Sequence, residues 1–382
     1  MALFDAFSPR TETRETLRRR MASVLRAPQR AAAAAHPETI DSIQYLRAIA
    51  CWSVVVFHIF ASLNSELGWS NPFALGAIGV DVFFVISGYI MAMIVARDRN
   101  FEPLRFLLRR LARIAPVYWM FTLGVVAVSL ILPHLMNRSD IGWTSVLFSM
   151  LFIPDPVLGS HIPVMSVGWT LNFEMFFYGL VALTVWLSGD RGLMVTVGAL
   201  ALAVVSGLLI EGGVIFEFFT QPIILEFAFG ILIWKYGAVA TRHPWFAPFW
   251  LLAMPLVILL LVTTGAYDDT WRFAIWGVPA AFFFLGARSL FTARLPWLQR
   301  LGDWSFSTYL LHVYVIQLFV KVAAARLAGS PLLIACAVIA VIVAVLVGSA
   351  LAHRLFESPV TDWLNRQIAR LLPARRRRVA VA

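Results

Sequence analysis

Ile43-Gln44-Tyr45-Leu46-Arg47-Ala48-Ile49-Ala50-Cys51-Trp52-Ser53-Val54-Val55-Val56-Phe57-His58-Ile59-Phe60-Ala61-Ser62-Leu63 is the stretch on which the fold turns. It is predominantly apolar over about 20 residues, the length an α-helix needs to cross a hydrocarbon core at ~1.5 Å per residue. Comparable stretches recur at about 75–96, 114–133, 166–187, 192–210, 221–237, 247–265, 271–290, 303–325 and 332–353, each end placed to within two to four residues. Of the 382 residues, 60% are hydrophobic and only 14% charged, where a soluble domain carries about 25% charged residues. Lipid offers the backbone no hydrogen-bonding partner, and no alternating strand pattern offers a barrel. The chain therefore reads as all-α, a polytopic integral membrane bundle of about ten transmembrane helices. An eleventh apolar run, Ile141 to Ile153, is too short to cross and runs into Pro154 and Pro156. It suits a re-entrant or interfacial segment.

The basic residues fit ten spans with both termini cytoplasmic. In that arrangement 26 of the 31 Lys and Arg fall on the cytoplasmic side, as positive-inside topology requires. An added span would throw the later basic loops to the wrong side. The net charge of +10 thus points to anionic lipid headgroups and away from nucleic acid. Residues 1–38 are rich in Arg and Ala and lack an apolar core segment, so they read as a disordered basic cytoplasmic tail, neither signal peptide nor span. Residues 39–356 form the transmembrane domain, and 357–382 a second basic cytoplasmic tail, ending in Arg375, Arg376, Arg377 and Arg378. Both cysteines, Cys51 and Cys336, fall in spans, which argues against a disulfide framework or a zinc site; no metal is expected.

Ionisable groups inside spans carry the functional signal, because each costs about 2.5–3.5 kcal/mol on insertion scales and so faces a bundle interior or a wet cavity. Arg47 and His58 are eleven residues apart. Eleven steps of ~100° bring the helix back to within about 20° of its starting direction, so the two share a face ~16 Å apart along the axis. Asp81 and His58 lie at similar depth from the outer surface, with Glu174 and Glu226 also in the outer half and His312 about nine residues into its span from the inside. Each has a plainer reading. Arg47 can snorkel to headgroups, His58 can be a buried imidazole held by a backbone carbonyl, Asp81 can pair with a neighbouring span, and Glu226 and His312 stand evenly between a structural and a functional role. Arg105, Arg109, Arg110 and Arg113 satisfy positive-inside topology, but several guanidinium forks together also suit a phosphate-bearing cofactor arriving from the cytoplasm.

Taken together, these residues resemble the acyltransferase-3 family of membrane acyltransferases, near its exopolysaccharide-production members. The resemblance covers most of 40–356. It rests on Ile43 to Ala48 with His58, on Gly79-Val80-Asp81-Val82-Phe83-Phe84-Val85-Ile86-Ser87-Gly88, and on Arg109-Arg110 to Arg113 with Pro116 and Tyr118. Trp169-Thr170-Leu171 with Glu174 and Tyr178, Glu226 to Gly230, and Leu301-Gly302 with Ser305, Tyr309 and His312 complete it. Thr170 stands where many relatives have serine, and Phe306 where many have tyrosine. The resemblance implies a bundle in the bacterial plasma membrane that uses acetyl-CoA or another acyl-CoA to acylate a carbohydrate acceptor, a polysaccharide or lipid-linked sugar. It also implies that Arg47 and His58 are the family's arginine and histidine pair.

On that basis Arg47, Arg109, Arg110 and Arg113 are expected to hold the phosphates of the donor. Neutral His58 is expected to act as general base on the acceptor hydroxyl, with Glu174 or Asp81 fixing its tautomer. Glu226, Tyr309 and His312 are expected to be substrate-facing or structural polar groups. A covalent acyl-histidine fits the same residues. Two rivals compete: a glycan or lipid-linked-sugar transporter whose path the intramembrane charges line, and a non-catalytic scaffold of a polysaccharide-synthesis complex.

Overall fold

The computed structural model describes residues 37–68, 70–98, 100–132, 141–240, 245, 249, 251, 271–291, 294–320 and 330–373. Among these every regular element is helical. The helices are α1 (Pro37–Leu67), α2 (Gly79–Arg97), α3 (Pro103–Ile131), α4 (Trp143–Met150), α5 (Trp169–Ser188) and α6 (Gly192–Leu209). They continue as α7 (Val214–Phe219), α8 (Leu225–Ala240), α9 (Val278–Leu290), α10 (Pro296–Phe319), α11 (Pro331–Ala352) and α12 (Ser358–Leu371). Five stretches of the described residues are long and apolar enough to cross a membrane: Asp41–Leu67, Ala74–Arg97, Pro103–Ile131, Ser166–Leu209 and Pro331–Leu371. The expected span at 247–265 lies outside the described residues apart from Phe249 and Leu251, as do residues 1–36 and 374–382 of the two tails.

Two departures from the sequence reading bear on the site. α3 begins at Pro103, about a turn and a half before Arg109, so the arginine cluster is helical rather than a loop before the span. Proline suits the first turn, where its missing N–H has no partner to lose. Ser358–Leu371, expected within a tail, is an amphipathic helix. Thr361 and Ile368 are buried, and the Thr361 hydroxyl lies 3.5 Å from the Ala112 carbonyl of α3. The run from 141 to 153, by contrast, is expected to be too short to cross and holds only the eight residues of α4, ~12 Å of helix.

After α4 the chain turns on Asp155. Its carboxylate accepts from the Ser145 hydroxyl (2.9 Å) and from the backbone N–H groups of Val157 (2.9 Å) and Leu158 (3.1 Å). Desolvation alone would raise this carboxyl, but the hydrogen bonds, led by that from Leu158, outweigh it and hold it below its ordinary value.

Close helix crossings set the frame of the bundle. Gly88 of α2 meets the Phe227 carbonyl of α8, and Gly230 of α8 meets the Val85 carbonyl of α2, so a Cβ at either position would fall on facing backbone. Small residues permit such crossings in lipid, where packing replaces the hydrophobic drive. α5 docks against α7 and α8 through stacked rings, Phe173 on Phe218 (4.1 Å) and Phe177 on Phe227 (4.4 Å). α1 lies along α10, where the buried Cys51 thiol donates to the Ser305 carbonyl at 3.3 Å and the Tyr45 hydroxyl accepts the Leu295 N–H at 2.8 Å.

Candidate active site

A cavity of about 890 Å³, counting its open mouth, lies between α1, α2, α3, α5 and α10. One end is basic. Arg47 from α1 and Arg110 and Arg113 from α3 all line it. On a helix, residues three apart point within ~60° of each other, whereas adjacent ones diverge by ~100°. Arg110 and Arg113 therefore share the cavity face, and Arg109 is exposed away from it. Arg105 is likewise taken up elsewhere, in an ion pair with Asp98 at 3.0 Å.

Two of the cavity-facing guanidinium groups are anchored from behind. Arg47 donates to the Gln44 side-chain oxygen (3.1 Å), and Gln44 donates in turn to Asp303, about two turns into α10 (2.8 Å). Arg113 stands 3.8 Å from Glu357. Glu357 is 1% exposed, accepts from the Ser307 hydroxyl (2.6 Å) and lies 3.2 Å from His353 one turn back. The Nε of Arg110 is buried without a hydrogen-bond partner among the described residues. A buried donor in that state suits an anionic ligand with oxygens to offer.

Midway along, Glu174 faces the cavity and accepts from the hydroxyls of Ser87 (3.1 Å) and Tyr178. Tyr178 follows Glu174 by one helical turn and so lies over the same face of α5. At the far end the Thr170 and Tyr309 hydroxyls stand 3.0 Å apart, and both reach the Val167 carbonyl. Beyond Tyr309 comes His312, with its ring centroid 5.8 Å from that of Tyr309 and 5.2 Å from that of His58. The shared face of α1 thus carries Arg47 to the cavity mouth, while His58 stands past the Tyr309 layer, packed against Phe57 at 5.0 Å.

Asp81 and Glu226 belong to a second cluster, outside the cavity lining. Asp81 is fully buried and accepts two hydrogen bonds from Arg272, at 2.9 and 3.2 Å. Glu226, also fully buried, sits beside Asp81 and Arg272 and against Gly277, where a Cβ would overlap its carboxyl group. Neither carboxylate expected to orient His58 is engaged with it: Asp81 holds Arg272, and Glu174 holds two hydroxyls.

Gln44, Asp303, Ser307, Glu357 and Arg272 escaped the sequence reading as members of these networks. They sit at span ends, where a charge is ordinary and draws no notice. The available signal was position. Glu357 follows His353 by four residues at the close of the last span, and Arg272 opens a span at the same end as Asp81.

Comparisons with known proteins place the chain among acyltransferases. A relative named exopolysaccharide production protein ExoZ, from Rhizobium meliloti (strain 1021), is 34% identical over 301 residues, covering 76% of this chain and 91% of the relative. Acyltransferase MdmB from Streptomyces mycarofaciens is 26% identical over 379 residues, covering 86% and 93%. A putative peptidoglycan O-acetyltransferase, YrhL of Bacillus subtilis (strain 168), is 30% identical over 158 residues, 37% of this chain but 23% of that protein. No solved structure matches. The sequence model of the acyltransferase domain matches residues 40–351, a range that holds the cavity-lining side chains and both histidines, and the chain belongs to the acyltransferase-3 family of membrane acyltransferases.

Proposed function

We propose that this protein is an O-acyltransferase that takes an acyl group, acetyl by preference, from acyl-CoA and places it on a hydroxyl of a cell-surface polysaccharide or lipid-linked sugar. It works as a multi-pass protein of the bacterial plasma membrane, with both termini and the basic mouth of the cavity on the cytoplasmic side. The observation that carries this reading is the set of three cavity-facing guanidinium groups, one with an unpartnered buried Nε, at the mouth of a cavity that leads toward a histidine pair.

Arg47, Arg110 and Arg113 bind the donor's phosphoryl oxygens, and the backing by Gln44 and Glu357 holds two of the forks in place. Arg109, exposed on the other side of α3, contributes general positive potential. When bound, the acyl-CoA supplies a thioester carbonyl open to attack. Glu174, fixed by Ser87 and Tyr178, offers acceptor oxygens to amide or hydroxyl protons in the middle of the cavity. Tyr309 and Thr170 close the far wall. His58, beyond them, removes the proton of the acceptor hydroxyl as it attacks. Asp81, with Arg272 and Glu226, holds the opposite end of the bundle in register.

The test is transfer of isotope-labelled acetyl from acetyl-CoA to the cell's glycans, read by mass spectrometry. His58→Ala should insert and fold yet transfer nothing. Wild-type levels of acetylated glycan from that variant would refute His58 as the base.

A further inference from the structure

His312 is fully buried, and its two ring nitrogens are in different situations. Nδ1 lies 3.2 Å from the Thr308 carbonyl oxygen. A carbonyl only accepts, so Nδ1 carries the hydrogen and the neutral ring presents a lone pair at Nε2. That Nε2 is buried with no hydrogen-bond partner among the described residues, a state that buried polar atoms rarely keep. Two side chains able to donate have rings beside that of His312. The Tyr309 hydroxyl is already taken up by Val167 and Thr170. The other is His58, whose ring centroid is 5.2 Å away at an interplanar angle of 50°. The two rings are not hydrogen-bonded as they stand, and at this separation a turn of the His58 ring brings an N–H···N hydrogen bond to Nε2 within reach.

We infer that His312 is the positioning residue of His58: its Nε2 lone pair accepts the N–H of His58 and so fixes which nitrogen of His58 is free to act as base. This rests on the reading of His58 given above, and it fills the place that the engaged carboxylates Glu174 and Asp81 leave open. Held in this way, His58 keeps its proton on the edge toward His312 and its lone pair on the edge toward the acceptor. The acceptor proton passes to that lone pair as the sugar oxygen bonds to the acyl carbon. The imidazolium so formed holds its other N–H on His312. As the C–S bond breaks, the proton passes from His58 to the departing sulfur, and both rings return to their starting state.

Asparagine and glutamine separate this role from packing. An Asn amide ends near the Nδ1 position and can keep the bond to Thr308, while a Gln amide reaches the Nε2 position and can present its oxygen to His58. In detergent-solubilised full-length protein, His312→Asn and His312→Ala should lower kcat for acetyl transfer from acetyl-CoA by roughly 10- to 100-fold with KM unchanged, and His312→Gln should stay within about fivefold of wild type. Independently of activity, 15N NMR of histidine-labelled wild-type protein should find His58 in one tautomer, which becomes a mixture in His312→Asn. A mixture already present in the wild type would overturn the inference whether or not any variant folds. So would full activity of His312→Asn, and if His58→Ala were still inert the base assignment would survive. Activity in His58→Ala would instead remove the underlying reading.

Discussion

The buried group of Asp81, Arg272 and Glu226 makes a lopsided prediction about its own disruption. Asp81→Asn removes one carboxylate, and the adjacent Glu226 remains to face the guanidinium. Arg272→Met removes the only cation of the cluster and strands two fully buried carboxylates side by side. Breaking a buried ion pair by deleting one partner costs about 3–5 kcal/mol. The Arg272 side chain is 19% exposed, so water and Glu226 soften the loss of Asp81 to about 2 kcal/mol, whereas the loss of Arg272 takes the full ~4 kcal/mol. At roughly 2–4 °C per kcal/mol, the expected falls in Tm are about 4–8 °C for Asp81→Asn and about 8–16 °C for Arg272→Met. Thermal unfolding in detergent, followed with a thiol-reactive fluorophore in a Cys336→Ser background that removes the exposed thiol, reads this because Cys51 is buried until the bundle opens. Acetyl transfer per folded molecule should fall less than about tenfold in Asp81→Asn, since a lost acid–base group would cost about 100- to 10,000-fold. An Asp81→Asn protein with unchanged Tm and no transfer would refute the reasoning, as would a cost equal to that of Arg272→Met.

Two other outcomes follow from the described geometry. Arg110→Ala and Arg113→Ala should each raise KM for acetyl-CoA by about 10-fold or more, through loss of a charge-assisted contact. Arg109→Ala should change it less than about threefold, and steady-state kinetics that rank Arg109 with the other two would move the phosphate site. Gly230→Ala should sharply reduce the yield of folded protein in size-exclusion chromatography, because its Cβ meets the Val85 carbonyl, while Gly124→Ala, with open space around it, should not; equal yields would show that the α2–α8 crossing tolerates the methyl group.

Much of this architecture is legible in the sequence because lipid imposes two blunt requirements, length and apolarity, and α1, α2, α5, α6 and α11 meet both without interruption. The candidate site was legible for the same reason in reverse: Arg47, His58, Glu174 and His312 stand out as groups that hydrocarbon would reject, and of these Arg47 and Glu174 line the cavity. Legibility failed where the background is polar anyway. Glu357 and Asp303 at the span ends look like any interfacial charge, and only the fold brings them behind Arg113 and, through Gln44, behind Arg47. Periodicity placed Arg47 and His58 on one face, but it carried no information about Tyr309, whose ring stands at the cavity's end on the way to His58. Asp81 was found by its depth, and its engagement with Arg272 could not be read because partners 191 residues apart leave no local trace.

Glu357 has a practical consequence for anyone exchanging parts between relatives. The family match closes at residue 351, six positions before this carboxylate, so a chimaera spliced at the family boundary would inherit Arg113 from one parent and its counter-ion from the other. Functional junctions should lie downstream of α12, keeping the basic end of the cavity and the helix that packs behind it as a single inherited piece.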